Sequence, residues 1–266
     1  MKSFAFTLKP CLNLESNKST RANMEKLKVP SLQHLSRNWC ETPEKVSRKL
    51  VALAEHPPTF SYSILYALVR DLVVLHQPLN DVMEGVRRKI SRPDVRENFL
   101  EILPLISRYF DDFTPTFVQS VNGRMYPLGR GLTIPFTPPL IYGVNGKLVF
   151  PWFSFWKTNP LADERLSLFV TVVDEILKQD ADLDDANFHI LDFSAPGKSK
   201  PRQLEVLDTK DIPRLSETRK MEMLLVFADG YQLAREKLAA KSVKADKSAT
   251  RPAADDQQAD MFGFDF

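Results

Sequence analysis

The sequence predicts an α+β fold, and three observations carry that prediction. From Leu32 to Phe110, apolar residues recur at three- and four-residue spacings, the period of an amphipathic helix. After Thr114 the chain changes to short aromatic and β-branched runs, punctuated by Asn122-Gly123, Gly129-Arg130-Gly131 and Asn145-Gly146. Two more helical patterns follow, one after Asn159 and one from about Ser216 to Lys241. The expected architecture is an N-terminal helical part packed with an antiparallel-rich sheet and two long helices in the C-terminal half.

Composition narrows the class of protein. With 43% hydrophobic and 26% charged residues among 266, the chain has enough apolar material for a substantial core. A formal net charge of +2 is too small to mark a nucleic-acid protein by itself, so any basic patch is local. Cys11, Cys40, His34, His56, His76 and His189 have neither zinc-ligand spacing nor the pattern of a disulfide framework. No metal and no cofactor is expected, and a reducing cytoplasm fits. The stretch Met1 to Leu8 is broken by Lys9-Pro10, and no run of about 18 apolar residues occurs, so neither signal peptide nor membrane span is expected. Residues 1–27 read as a disordered segment, with Met1 or Met24 as the start. Residues 28–241 read as one α+β domain.

The elements follow in order. Leu32, Leu35, Trp39, Val46, Leu50 and Leu53 mark two short helices separated at Glu41-Thr42-Pro43. A stronger helix runs from Ser61 to His76 with Ile64, Leu65, Leu68, Leu72 and Leu75 on its expected core face. Helices over Leu79 to Lys89 and Pro93 to Phe110 complete a helical bundle, the last one kinked at Pro104. Strands are expected at Phe117 to Val121, Arg124 to Leu128, Leu132 to Phe136, Leu140 to Tyr142 and Lys147 to Trp156. Asn145-Gly146 is the strongest hairpin signal, because both residues tolerate positive φ. Pro151 argues for a bulge within the last of these strands. Asn159 is placed as the cap of the next helix, with Pro160, Asp163 and Glu164 in its first turn. Two strands at Phe188 to Phe193 and Gln203 to Leu207 precede the last helix, whose Leu224, Phe227, Tyr231, Ala234 and Leu238 form one face.

Candidates for chemistry are few. A strand, hairpin, helix and strand order with Asp192 and Glu205 on neighbouring strands superficially resembles the metal-dependent nuclease core of restriction enzymes. That core uses two carboxylates and a Lys on one strand to hold Mg²⁺ and activate water, and Glu205-Val206-Leu207 supplies no such Lys. Tyr126-Pro127-Leu128-Gly129-Arg130-Gly131, with Arg124, offers backbone N–H groups and cations to a phosphate, but such loops are commoner as plain hairpins. The four histidines have no partner that spacing assigns to a triad. No catalytic residue is therefore assigned, and a binder is expected rather than an enzyme.

The most informative stretch is the last one. Residues 242–256 are small and polar, the composition of a disordered tether, yet Met261, Phe262, Phe264 and Phe266 follow directly. Residues 242–266 thus read as a tether ending in a docking motif. Gln258-Ala259-Asp260-Met261-Phe262 resembles the bacterial sliding-clamp-binding motif: Gln, a small or apolar residue, Asp or Ser, Leu or Met, then Phe. The same five letters occur in the clamp-binding segment of a bacterial replicative polymerase catalytic subunit. The resemblance implies a partner, the ring-shaped β clamp. Gln258 is then expected in a small polar subsite and Met261 and Phe262 in an apolar pocket, with Ala259 a mild departure from the commoner Leu. Phe264 and Phe266 are additional docking candidates. Lys237, Lys241, Lys244, Lys247 and Arg251 form a basic run that suits weak contact with DNA inside the ring. The expected function is that of a replication or repair accessory factor or a toxin-like inhibitor of replication. The alternative is a clamp-recruited nucleic-acid enzyme with a nuclease-like core.

Overall fold

The structure is a computed structural model, and it describes residues 27–57, 62–112, 115–138, 140–159, 161–197 and 200–249. The described helices are α1 (Leu32–Asn38), α2 (Pro43–Glu55), α3 (Ser63–Val73), α4 (Leu79–Lys89), α5 (Pro93–Asp111), α6 (Asp163–Leu177) and α7 (Glu217–Ala249). The strands are β1 (Phe117–Gln119), β2 (Arg124–Gly129), β3 (Leu132–Phe136), β4 (Ile141–Val144), β5 (Lys147–Ser154), β6 (Asn187–Asp192) and β7 (Glu205–Asp208). The α+β expectation holds. The main sheet has the order β1-β4-β5-β6-β7, and β2 with β3 forms a separate hairpin. All pairings are antiparallel except β5 with β6, which α6 joins as a parallel crossover.

The sheet separates two cores, and β5 shows why. Its side chains alternate faces with period two. Phe150 and Trp152 enter one core with Ile141, Phe188 and Ile190, under α1, α2, α6, α7 and the β2–β3 hairpin. Val149 and Phe153 enter the other with Tyr142 and Leu191, under α3, α4 and α5. The N-terminal helices are therefore not one bundle: α3–α5 cover one face, whereas α2 lies against α7 on the other.

Several local expectations are met and others corrected. Asn145 (φ 50°) and Gly146 (φ 71°) form the two-residue turn of the β4–β5 hairpin, and Arg130 (φ 53°) with Gly131 (φ 71°) does the same between β2 and β3. Pro151 causes no bulge, since the register with β6 runs unbroken from Val149 to Ser154. The β4 ladder has already ended at Val149, so the missing N–H falls where β5 is paired on one side only. Asn159 does not cap α6. The helix starts at Asp163 behind Ala162, while Asn159 Oδ1 accepts the Leu161 N–H at 2.9 Å in a local turn. The buried face of α3 is Leu65, Val69 and Val73, with Leu68 and Leu72 half-buried against the same core, which leaves Ile64 and Leu75 outside it. Finally, α7 does not stop at Lys241. Its backbone stays helical through Ala249, in keeping with the helix preference of the Ala and Lys residues there, so the tether does not begin at Ser242.

Candidate docking site

Helices α2 and α7 meet where α7 has no side chain. A Cβ built on Gly230 would lie 2.6 Å from Val46 Cβ and 2.8 Å from the Pro43 carbonyl oxygen, so only glycine permits the approach. Pro43 and Val46 belong to the first turn of α2, which Thr42 caps by accepting the Lys45 N–H. The two helices run parallel from this crossing to the Lys241–Glu55 ion pair. Between these points lies a cleft of about 340 Å³. Val51, Ala52 and Ala240 give it an apolar floor with little side-chain bulk, and Arg48, Lys237, Lys241 and Glu55 surround it. The rim charge is three positive against one negative, a net +2.

A second cleft of about 340 Å³ lies between α3 and α4. Ile64, Leu68, Leu75, Val82, Val86 and Ile90 line it, with Asp71, Asp81 and Lys89 at its edge. Ile64 and Leu75 are about half exposed, at 48% and 51%. These are the residues that helical periodicity placed in the core, and they instead face an open groove.

The other sequence-predicted residues fall as follows. Gln258, Ala259, Asp260, Met261, Phe262, Phe264 and Phe266 lie outside the described residues, as do Arg251, Met24 and the segment read as a disordered N-terminus up to Lys26. Lys237 and Lys241 border the α2–α7 cleft, and Lys244 and Lys247 lie on the helical backbone beyond it. Asp192 and Glu205 are direct partners across β6 and β7. The Asp192 carboxylate is buried and accepts the Ser194 N–H at 3.2 Å and its hydroxyl at 2.9 Å. Among the described residues, no third metal-ligating side chain joins this pair. In the glycine loop, both cations are held by carboxylates: Arg124 donates to Asp180 at 2.5 Å and Arg130 to Asp229 at 3.1 Å. The loop is a tight hairpin turn with its arginines committed.

Two buried polar groups escaped sequence reasoning. Lys220 on α7 donates to Glu175 and, at 2.7 Å, to Glu217, while Tyr126 donates to the other Glu175 oxygen at 2.6 Å. Burial lowers the Lys220 pKa, but the two carboxylates outweigh it and the net shift is upward. Burial and then Glu175 push the Tyr126 phenol up to about 12. The network joins hairpin, α6 and α7. Its signal in the sequence was Lys220 standing four residues before Leu224, at a core-facing position of α7. Arg202, 5% exposed, donates to the carbonyls of Phe155, Trp156 and Phe193 at 2.8–3.1 Å and to Asn98. It fastens α5 to the ends of β5 and β6.

Among the described residues, no helix is long and apolar enough to cross a membrane. No protein-family model matches the chain, and no curated protein matches it.

Proposed function

We propose that this chain is a non-enzymatic interaction protein that docks on the bacterial DNA-replication sliding clamp through Gln258 to Phe262, in the cytoplasm. The observation that carries the reading is the Gln-Ala-Asp-Met-Phe string itself. It is supported by what precedes it. The helix α7 runs eight residues past Lys241 to Ala249, about 12 Å further along its axis at 1.5 Å per residue. Residues 250–257 then span at most about 28 Å. The motif can thus reach a pocket on the ring while the folded body sits beside it. Lys244, Lys247 and Arg251 then lie near any DNA that threads the ring, where they supply a weak, salt-sensitive contact.

The test is titration against purified clamp. Full-length protein and a peptide of residues 255–266 should both bind, and Phe262→Ala or Met261→Ala should weaken binding about 30-fold, since a few buried anchors dominate such contacts. Equal binding by a chain lacking residues 255–266 would refute the reading. Adding the protein to a clamp-dependent polymerase reaction then separates an accessory factor, which sustains synthesis, from an inhibitor, which stops it. A second reading, a clamp-recruited nucleic-acid enzyme, draws on the β4–β5 hairpin followed by α6 and a parallel β6. Mg²⁺-dependent DNA cleavage that Asp192→Asn abolishes would favour it.

A further inference from the structure

The two apolar clefts differ in charge, and so does the segment that carries the proposed motif. Residues 255–266 hold Asp255, Asp256, Asp260 and Asp265 against no basic residue, together with Met261, Phe262, Phe264 and Phe266. The α2–α7 cleft has an apolar floor and a net positive rim. Among the described residues, neither Arg48 nor Lys237 has an ion-pair partner on that rim. The α3–α4 cleft has Asp71 and Asp81 against Lys89 at its edge, which repels an acidic segment.

Tether length favours the same cleft. Lys241 lies on its rim and Ala249 ends the described helix about 12 Å away along the axis. The eleven residues 250–260 that precede Met261 span up to about 36 Å when extended, three times the distance back to the rim. A segment tethered this closely meets its seat at an effective concentration in the millimolar range, so even a shallow cleft suffices to hold it.

We propose that the α2–α7 cleft is a seat in cis for the acidic aromatic segment of residues 255–266, holding the clamp-docking residues in reserve until the clamp competes for them. This rests on the clamp-binding reading for its role as a brake, though not for the contact itself. The aromatic side chains cover Val51, Ala52 and Ala240, while the aspartates face Arg48 and Lys237. The clamp draws the segment off by mass action, and the apparent affinity of the full chain is reduced by the fraction of time the seat is filled.

Methyl NMR on the full-length protein tests the contact without the clamp. Aromatic rings over the floor shift the methyl signals of Val51, Ala52 and Ala240, and a full-length variant with Phe262, Phe264 and Phe266 all replaced by Ala should lose those shifts. Unchanged methyls in that variant, or changes at Val82, Val86 and Ile90 instead, would overturn the proposal. Arg48→Glu combined with Lys237→Glu should remove the same shifts while leaving the circular dichroism spectrum intact. That double variant should also bind purified clamp about three- to tenfold more tightly than the parent, and the isolated 255–266 peptide should bind more tightly than the full-length parent. Methyl shifts that respond without any clamp binding by the peptide would keep the seat and refute its role as a brake. Clamp binding that is equal for parent, double variant and peptide would refute the seat and leave the docking reading standing.

Discussion

Replacing Gly230 with alanine sets two effects of known sign against each other. Alanine in a helix interior is favoured over glycine by about 1 kcal/mol, so α7 considered alone predicts stabilisation. The new Cβ, however, would sit 2.6 Å from Val46 Cβ, 2.7 Å from Val46 Cγ1 and 2.8 Å from the Pro43 carbonyl oxygen. Val46 is fully buried, and the Pro43 carbonyl belongs to the backbone of the first turn of α2, so neither can step aside without moving the helix. Overpacking of this kind costs about 1–3 kcal/mol, which leaves a net destabilisation of up to about 2 kcal/mol. The midpoint of urea unfolding should fall at unchanged m-value, and the melting temperature should drop by up to about 8 °C. Val46→Ala costs about 2 kcal/mol in the parent through lost burial and a cavity, and less in the Gly230→Ala background, with a coupling of about 1 kcal/mol. Rescue is partial because alanine removes only the Val46 Cγ1 contact, while the clashes with the Cβ at position 46 and with the Pro43 carbonyl remain. If Gly230→Ala stabilised the protein by about 1 kcal/mol, helix propensity alone would decide the site, and the close crossing of α2 and α7 would be refuted.

Three further changes probe other parts of the molecule. Gly146→Val places a β-branched residue at φ 71° in the β4–β5 turn and should cost about 1–3 kcal/mol, so an unaltered melting temperature would refute the turn. Arg202→Met leaves three carbonyl oxygens without their donor and should cost about 3 kcal/mol by urea unfolding, where a loss below about 1 kcal/mol would show that water replaces the guanidinium. Burial holds the His189 imidazole below its ordinary value of 6.5, against the pull of Asp208 and assisted by Lys210. The unfolded chain therefore takes up the proton first: this contribution to stability is complete above about pH 6.5 and is lost as pH falls through the lower folded value. The drop in stability between pH 7.5 and 5.5 should be smaller in His189→Gln than in the parent, and an identical drop would refute the assignment.

Element type was legible in the sequence because it depends on local signals. Asn145-Gly146 names its turn through backbone sterics, and the three- and four-residue spacing of Leu224, Phe227, Tyr231, Ala234 and Leu238 names the buried face of α7. What failed was anything decided by a distant partner. Periodicity gave α3 an apolar stripe wider than its contact with α5, and so it could not tell Leu65, buried, from Ile64, exposed beside it. It likewise could not show that α2 would leave α3 and cross to the far side of the sheet. That choice is made at Gly230, far along the chain, by the absence of a side chain.

The same distinction explains the site. A linear motif is a local signal, and Gln258 to Phe262 could be read without any fold. The α2–α7 cleft has no local signal at all: Arg48, Val51 and Ala52 look like an ordinary helix surface until Lys237, Ala240 and Lys241 are laid alongside them. Charge shows how the two are related. The long helix concentrates lysines at 237, 241, 244 and 247, and the chain then turns acidic at Asp255 and aromatic at Phe262. Opposite charges this close in sequence attract one another at short range, within a Debye length of about 8 Å at physiological salt. On the proposed seat, a competitor for the acidic segment has to displace it from the chain's own basic helix. Raising the salt should weaken the hold of Arg48 and Lys237 on the aspartates more than the contact of Phe262 with an apolar clamp pocket. Clamp binding by the full chain should consequently lose less affinity with added salt than binding by the isolated 255–266 peptide does. Parallel salt dependences for the two would mean that the helix and the segment do not meet.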